Sequence, residues 1–338
     1  MVRSFFVALP LLLLSAVAAA CPLCIGTAAR SSSQDLDELP HAVLALPDGQ
    51  QFRVIDVIKG TSPGTMLTEV VVPDPGPADK ALLLVRDDAW PMWVSLGSVS
   101  ARHAAALREL AAEHPSEADT SAWQRRLDVA IPNLENSDAL LAEIAYAESA
   151  GAPYAALRAA SHLLDARSLR GYVDDQALVA RLPLYLLLIG IAGNSHDADV
   201  IESKLAAARE AGIATNVSSM LAADLELRGV SRVKWLEDSY LLDPSRTTSE
   251  IQAALLALSV QANSGGPIPR ERAIEAYRLF MREHKDMAGI VAPDLAAWEY
   301  WDAAPEFAAL LKANVRLQGD SRAAIVAYLQ QSPLRWSE

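Results

Sequence analysis

Cysteine is nearly missing from this chain, with two residues in 338. Two thiols do not staple a small disulfide scaffold, so a hydrophobic core must hold the fold. An excess of positive charge is missing too: 29 Lys and Arg face 42 Asp and Glu, a net charge of −13. That excludes a general nucleic-acid binder, which relies on basic side chains to neutralise phosphates. Long apolar runs are missing beyond residue 20. The longest, residues 182–193, contains Pro183 and falls short of the roughly 20 residues that span a bilayer, so it reads as a buried helix. Aromatics make up only 6% although 51% of the chain is hydrophobic, so the interior must be built from Ala and Leu. A mean hydropathy of +0.15 excludes a disordered chain. At about 100–200 residues per domain, the length predicts two domains or one elongated repeat array.

Residues 1–20 read MVRSFFVALPLLLLSAVAAA. Arg3 supplies a positive start, residues 5–17 an apolar centre, and Ala18 to Ala20 small residues for cleavage. This layout predicts a secretory signal peptide and an exported protein, periplasmic or extracellular. Cleavage after Ala20 removes one basic and no acidic residue, so the exported chain is one charge more negative than −13. Cys21 then becomes the first residue, a position that also fits a lipoprotein anchor, although three alanines precede it where a Leu is usual.

Cys21-Pro22-Leu23-Cys24 is a C-x-x-C. Four readings stay open: a local disulfide, a thiol–disulfide redox centre, half of a metal site, or the lipid anchor. Thioredoxin-type sites follow a strand and open a helix, whereas here nothing precedes the motif after cleavage. Haem attachment needs a His where Ile25 stands. For a metal, the nearest further ligands are Asp35, Asp37 and His41, without tight spacing.

Residues 26–40 are polar, a loop or short helix. The period then becomes strand-like at 41–46, 52–59, 65–72, 80–86 and 92–96, with turns rich in Gly, Pro and Asp between. These segments predict a small β-barrel or sandwich over 41–99, with Trp90, Met92 and Trp93 near its end. From Ser100 the pattern is helical. Helices are predicted at 100–113, 120–130, 137–149, 153–164, 174–180, 184–192, 197–211, 217–228, 230–242, 248–263, 270–284, 293–300, 303–313 and 321–331. Asn194-Ser195 reads as a helix N-cap, and Gly193, Gly212 and Gly229 as breaks. So many short helices without strands predict an α-solenoid over 100–338. The fold class is thus α+β, mainly α.

No H-E-x-x-H, G-x-S-x-G or G-x-x-x-x-G-K-[ST] occurs, and no catalytic set or cofactor is expected. Trp298-Glu299-Tyr300-Trp301-Asp302 is the densest aromatic–acidic cluster. Trp298 and Trp301 are candidates for a groove that binds a cation or a sugar, against the alternative of packing two helices.

Several short motifs follow one another along the chain. They are Cys21-Pro22-Leu23-Cys24, then Phe52, Val54, Val57, Lys59 and Gly60, then Ala152-Pro153-Tyr154, the run from Ile268 to Arg272, and the run from Pro293 to Trp298. In this order the chain resembles a family of secreted bacterial proteins of uncharacterised function, which implies architecture rather than chemistry. The segments 249–258 and 320–329 resemble the inner helices of HEAT-type repeats. The β segment resembles the netrin-like, OB-type domain of tissue inhibitors of metalloproteases, which also starts at a mature Cys but carries several disulfides. The export signal, the repeat-like helices and the lack of any catalytic set predict a non-enzymatic interaction protein of the cell envelope with a protein partner, and the acidic charge predicts no nucleic acid. The thiol or metal role of Cys21 and Cys24 is the alternative.

Overall fold

The computed structural model describes residues 31–73, 76–77, 79–116, 118–263, 266–313 and 315–333. Residues 1–20, predicted to be a signal peptide, and the C-x-x-C lie outside them. The described chain opens with α1 (Ser32–Glu38), started by a capping box in which Ser31 accepts from Gln34 N and the Gln34 side chain accepts from Ser31 N. Six strands follow: β1 (His41–Asp48), β2 (Gln51–Lys59), β3 (Met66–Leu67), β4 (Val70–Val71), β5 (Ala81–Arg86) and β6 (Trp93–Val99).

Their spatial order is β3-β2-β1-β5-β6-β4, antiparallel except for the β4–β6 pair. The two edge strands are therefore consecutive in the chain, separated only by Thr68 and Glu69. A two-residue link between opposite edges requires the sheet to curl until it is nearly closed. Sequence periodicity predicts one strand over 65–72. The run is extended, but it changes partner midway: residues 66–67 pair with β2 and 70–71 with β6.

The curled sheet has two apolar faces. Val43, Ala45, Leu67, Leu82, Leu84 and Trp93 fill its inside. Ala42, Leu44, Ala81, Leu83 and Val85 point outward onto helices. Both faces of β1 and β5 are covered, which is why these strands read as continuous apolar runs rather than alternating ones.

The helices on that outer face are α1, α2 (Ala104–Leu110), α3 (Thr120–Ala130) and α4 (Ala139–Gly151). Asp138, just before α4, ties them to the sheet. It accepts from Lys80 Nζ and from the Ser100 N–H (3.3 Å), and His103 Nε2 lies 3.0 Å away. Burial raises its pKa, but these donors outweigh that and hold it below the ordinary carboxylate range. Ser100 contributes its backbone N–H here and makes no side-chain cap; the chain enters α2 through a short 3-10 turn instead.

Next come α5 (Tyr154–Ala159), α6 (Ala166–Asp174), α7 (Leu182–Ala192), α8 (Ser195–Ala211), α9 (Val217–Arg228), α10 (Arg232–Leu236), α11 (Thr248–Ala262), α12 (Arg270–Glu283), α13 (Ala292–Ala297), α14 (Ala304–Lys312) and α15 (Ser321–Gln331). The predicted helix at 174–180 is instead the end of α6, a break at Asp175, and a 3-10 turn. Asp165 and Asp175 each accept backbone N–H groups, so both restart the chain as caps. Asn194 starts α8 with a capping box and Gly212 ends it at φ 65°.

α7, α9 and α11 lie side by side in a row, with α8 also against α9. Leu184 to Gly190 are all buried, so α7 has no polar stripe and sits inside. Among the described residues no single helix is long and apolar enough to cross a membrane.

Candidate functional site

Cys21 and Cys24 fall outside the described residues. Trp298 and Trp301 are placed at the end of α13 and in the following loop. Trp298 is buried; its ring stacks on Tyr277 at 5.4 Å between centroids, and its Nε1 donates to Asn263 Oδ1 at 3.0 Å. Trp301 is half-buried and lies against Tyr328 at 5.1 Å. Beneath the first stack, the Tyr277 hydroxyl donates to Asp294 Oδ2 at 2.6 Å. Burial pushes the Asp294 carboxyl above the usual range.

A charged centre lies where α1, α2, α3 and α4 meet. Arg126 of α3 is buried and holds two carboxylates, Glu148 of α4 and Asp37 of α1, while donating to Ala112 O at 3.0 Å. Burial lowers the Arg126 pKa, and the two carboxylates overcome this to raise it. Ser33 donates to Glu148, and Lys59 Nζ donates to Leu36 O at 2.9 Å and to Asp37 O. Nδ1 of His114 is 3.0 Å from Asp37 Oδ2.

Asp37, His114 and Glu148 bring one ligand atom each within 4.8 Å of one another, a donor set suited to a divalent metal. The guanidinium of Arg126 already bridges the two carboxylates, so a cation entering here meets a fixed positive charge. As folded, the centre is an ion-pair clamp. Of the acids and histidines nearest the C-x-x-C in sequence, Asp37 belongs to this centre. His41 Nε2 pairs with Asp88 at 2.7 Å. Arg126, His114 and Glu148 lie far from Asp37 along the chain, and no local spacing signals them.

A different surface carries an apolar face. Val71 of β4 is the register partner of Val94 of β6, and both are exposed. Met92 lies two residues before Val94, on the same side of the strand direction. Trp93, between them, points inward to the sheet interior. Met66 of β3 is exposed while Leu67 is buried inside. Trp90, in the turn before β6, is 63% exposed. That turn is set by Asp87, whose side chain accepts from Ala89 N at 2.9 Å. Thus Trp93 of the sequence's tryptophan pair packs in the sheet interior, while Trp90 faces solvent.

Comparison with protein-family models, with curated proteins and with solved structures finds no match to this chain.

Proposed function

We propose that the chain is an exported interaction protein of the cell envelope that docks a protein partner on the wall formed by β4 and β6. The observation that carries this reading is the exposed Val71–Val94 neighbour pair, extended by Met92, with Trp90 exposed in the turn before β6. A contiguous exposed apolar face is the usual mark of an interaction site, and Trp is enriched among residues that dominate binding energy. In this reading the curled sheet is an OB- or netrin-like unit. The row of α7, α9 and α11 is a short α-solenoid of HEAT-like pairs that serves as the scaffold. Cleavage after Ala20 delivers both to the envelope.

The test places a photo-crosslinking side chain at position 94 and, as a control, at Val326 of α15, which is 36% exposed. Position 94 should give one defined protein adduct in intact cells, and position 326 none. Equal labelling from both positions, or no adduct from 94, rejects the docking face. Intact mass of the protein from cells checks export separately: it should begin at Cys21. A chain retaining Met1 rejects the exported reading.

A further inference from the structure

Buried polar groups in folded proteins are hydrogen-bonded, and each such chain must end somewhere. One chain here ends at a cleft. Gln261 of α11 is fully buried and donates from Nε2 to Ala222 O at 2.7 Å and to the Tyr154 hydroxyl at 3.0 Å. Tyr154 donates in turn to Glu226 Oε2 at 2.7 Å. Arg158 donates from Nε to Glu226 Oε1 at 2.9 Å. Burial first, and the Glu226 charge second, push the Tyr154 hydroxyl far above its ordinary pKa, so it remains a donor. Both oxygens of Glu226 are therefore held, one by Tyr154 and one by Arg158.

This arrangement uses only one edge of the Arg158 guanidinium. Nη1 and Nη2 have no protein partner among the described residues, and the side chain is 36% exposed. Arg158 borders a cleft of about 390 Å³ lined also by Ala155, Ala159, Ser161, Ile191 and Glu226. The Nη edge of an arginine is the planar fork that takes a carboxylate through two parallel hydrogen bonds.

We infer that this cleft binds a carboxylate-bearing ligand, gripped by the Nη edge of Arg158 and the hydroxyl of Ser161, with its small aliphatic body against Ala155, Ala159 and Ile191. Three features favour that class. Glu226 offsets the charge of Arg158, so the cleft lining is neutral; a monoanion suits it, whereas a phosphate dianion meets the Glu226 charge with too little compensation. The volume lies near the lower end of small-molecule sites. The buried network from Gln261 to Arg158 fixes the fork before the ligand arrives, which lowers the ordering cost of binding. The cleft lies between α5, α7 and α9, away from β4 and β6, so this inference does not depend on the docking face.

The experiment titrates the full chain with N-acetyl-alanyl-alanine, its C-terminal amide and inorganic phosphate, following the Arg158 Nε–H resonance. The free acid should shift it saturably; the amide and phosphate should bind about tenfold more weakly or worse. Arg158→Gln, which lacks that resonance and is followed through the backbone amide of Ser161, should lose about tenfold in affinity for the free acid. Ala159→Leu fills the cleft while leaving the Arg158–Glu226 pair in place, and should lose binding with an unchanged unfolding midpoint. N-acetyl-alanine binding as tightly as the dipeptide identifies free small acids as the source, and weaker binding identifies a peptide C-terminus. The inference is overturned if the free acid gives no saturable shift. It is equally overturned if the amide or phosphate matches the acid, or if either variant keeps wild-type affinity.

Discussion

Arg126 and Glu148 form a pair in which both side chains are almost wholly removed from water, at 3% and 1% exposure, with Nη2 reaching Oε1 at 3.1 Å. Asp37 completes the clamp from α1. The pair pins the first described helix to α3 and α4 against the outer face of the sheet.

Removing one partner leaves a buried charge unmatched. Arg126→Met should cost about 3–5 kcal/mol, and the double variant Arg126→Met/Glu148→Leu should recover much of that loss. Urea unfolding midpoints measure both; a double variant less stable than Arg126→Met rejects the account. Arg126→Ala should also free Asp37, His114 and Glu148 as ligands. Zinc should then raise the melting temperature of Arg126→Ala more than that of the wild type.

Asp294 links stability to pH. Its folded pKa is raised by burial, despite hydrogen bonds from Tyr277 and Ser259, above the unfolded value near about 3.9. The native state therefore holds the proton more tightly. The associated stability is complete below the unfolded pKa and is lost as pH rises through the folded one. Asp294→Asn removes that dependence, so its stability relative to wild type should grow as pH rises above 4. A difference that stays flat from pH 4 to 8 contradicts the raised pKa.

Glu299 is a non-glycine residue at φ 55°, just after Trp298. Tyr300 N donates back to Leu295 O at 2.9 Å, closing a Schellman-type end to α13 that normally takes Gly. Relief of the left-handed strain, less the extra freedom glycine gives the unfolded chain, should make Glu299→Gly more stable by about 0.5–1 kcal/mol. A lower urea midpoint for this variant would show that the Glu side chain is held by something stronger than the strain.

Gly190 sets the distance between α7 and α9. A Cβ there would lie 2.7 Å from Ala223 Cα and 3.0 Å from its Cβ. Gly190→Ala should cost about 1–3 kcal/mol through overpacking. Gly171→Ala, inside α6 with open space around its Cβ, should instead gain up to about 1 kcal/mol. Equal effects at the two sites would rule out close helix approach as the cause.

The elements were largely legible because each is signalled locally. The capping box of α11, with Thr247 accepting from Glu250 N and the Glu250 carboxylate accepting from Thr247 N, lies within four residues, and so do the turn at Gly49 and the stop at Gly212. The aromatic cluster at Trp298 and Trp301 was visible too, but its stacking partners were not. Tyr277 and Tyr328 lie on α12 and α15, and no spacing within the cluster points to them. The exposed face at Val71 and Val94 was equally hidden: Thr65 to Val72 looks like one strand until its two halves pair with opposite edges.

The sequence by itself determined the mainly helical α+β class, the order of strands before helices, and most helix positions, because periodicity, caps and turns act over a few residues. Only the tertiary structure decided that the sheet curls until nearly closed, that Arg126 gathers Asp37 and Glu148, and that Arg158 stands at a cleft with one edge unpaired among the described residues. Those features depend on side chains brought together across long stretches of chain, where burial and charge pairing choose the partners and local propensity has no influence.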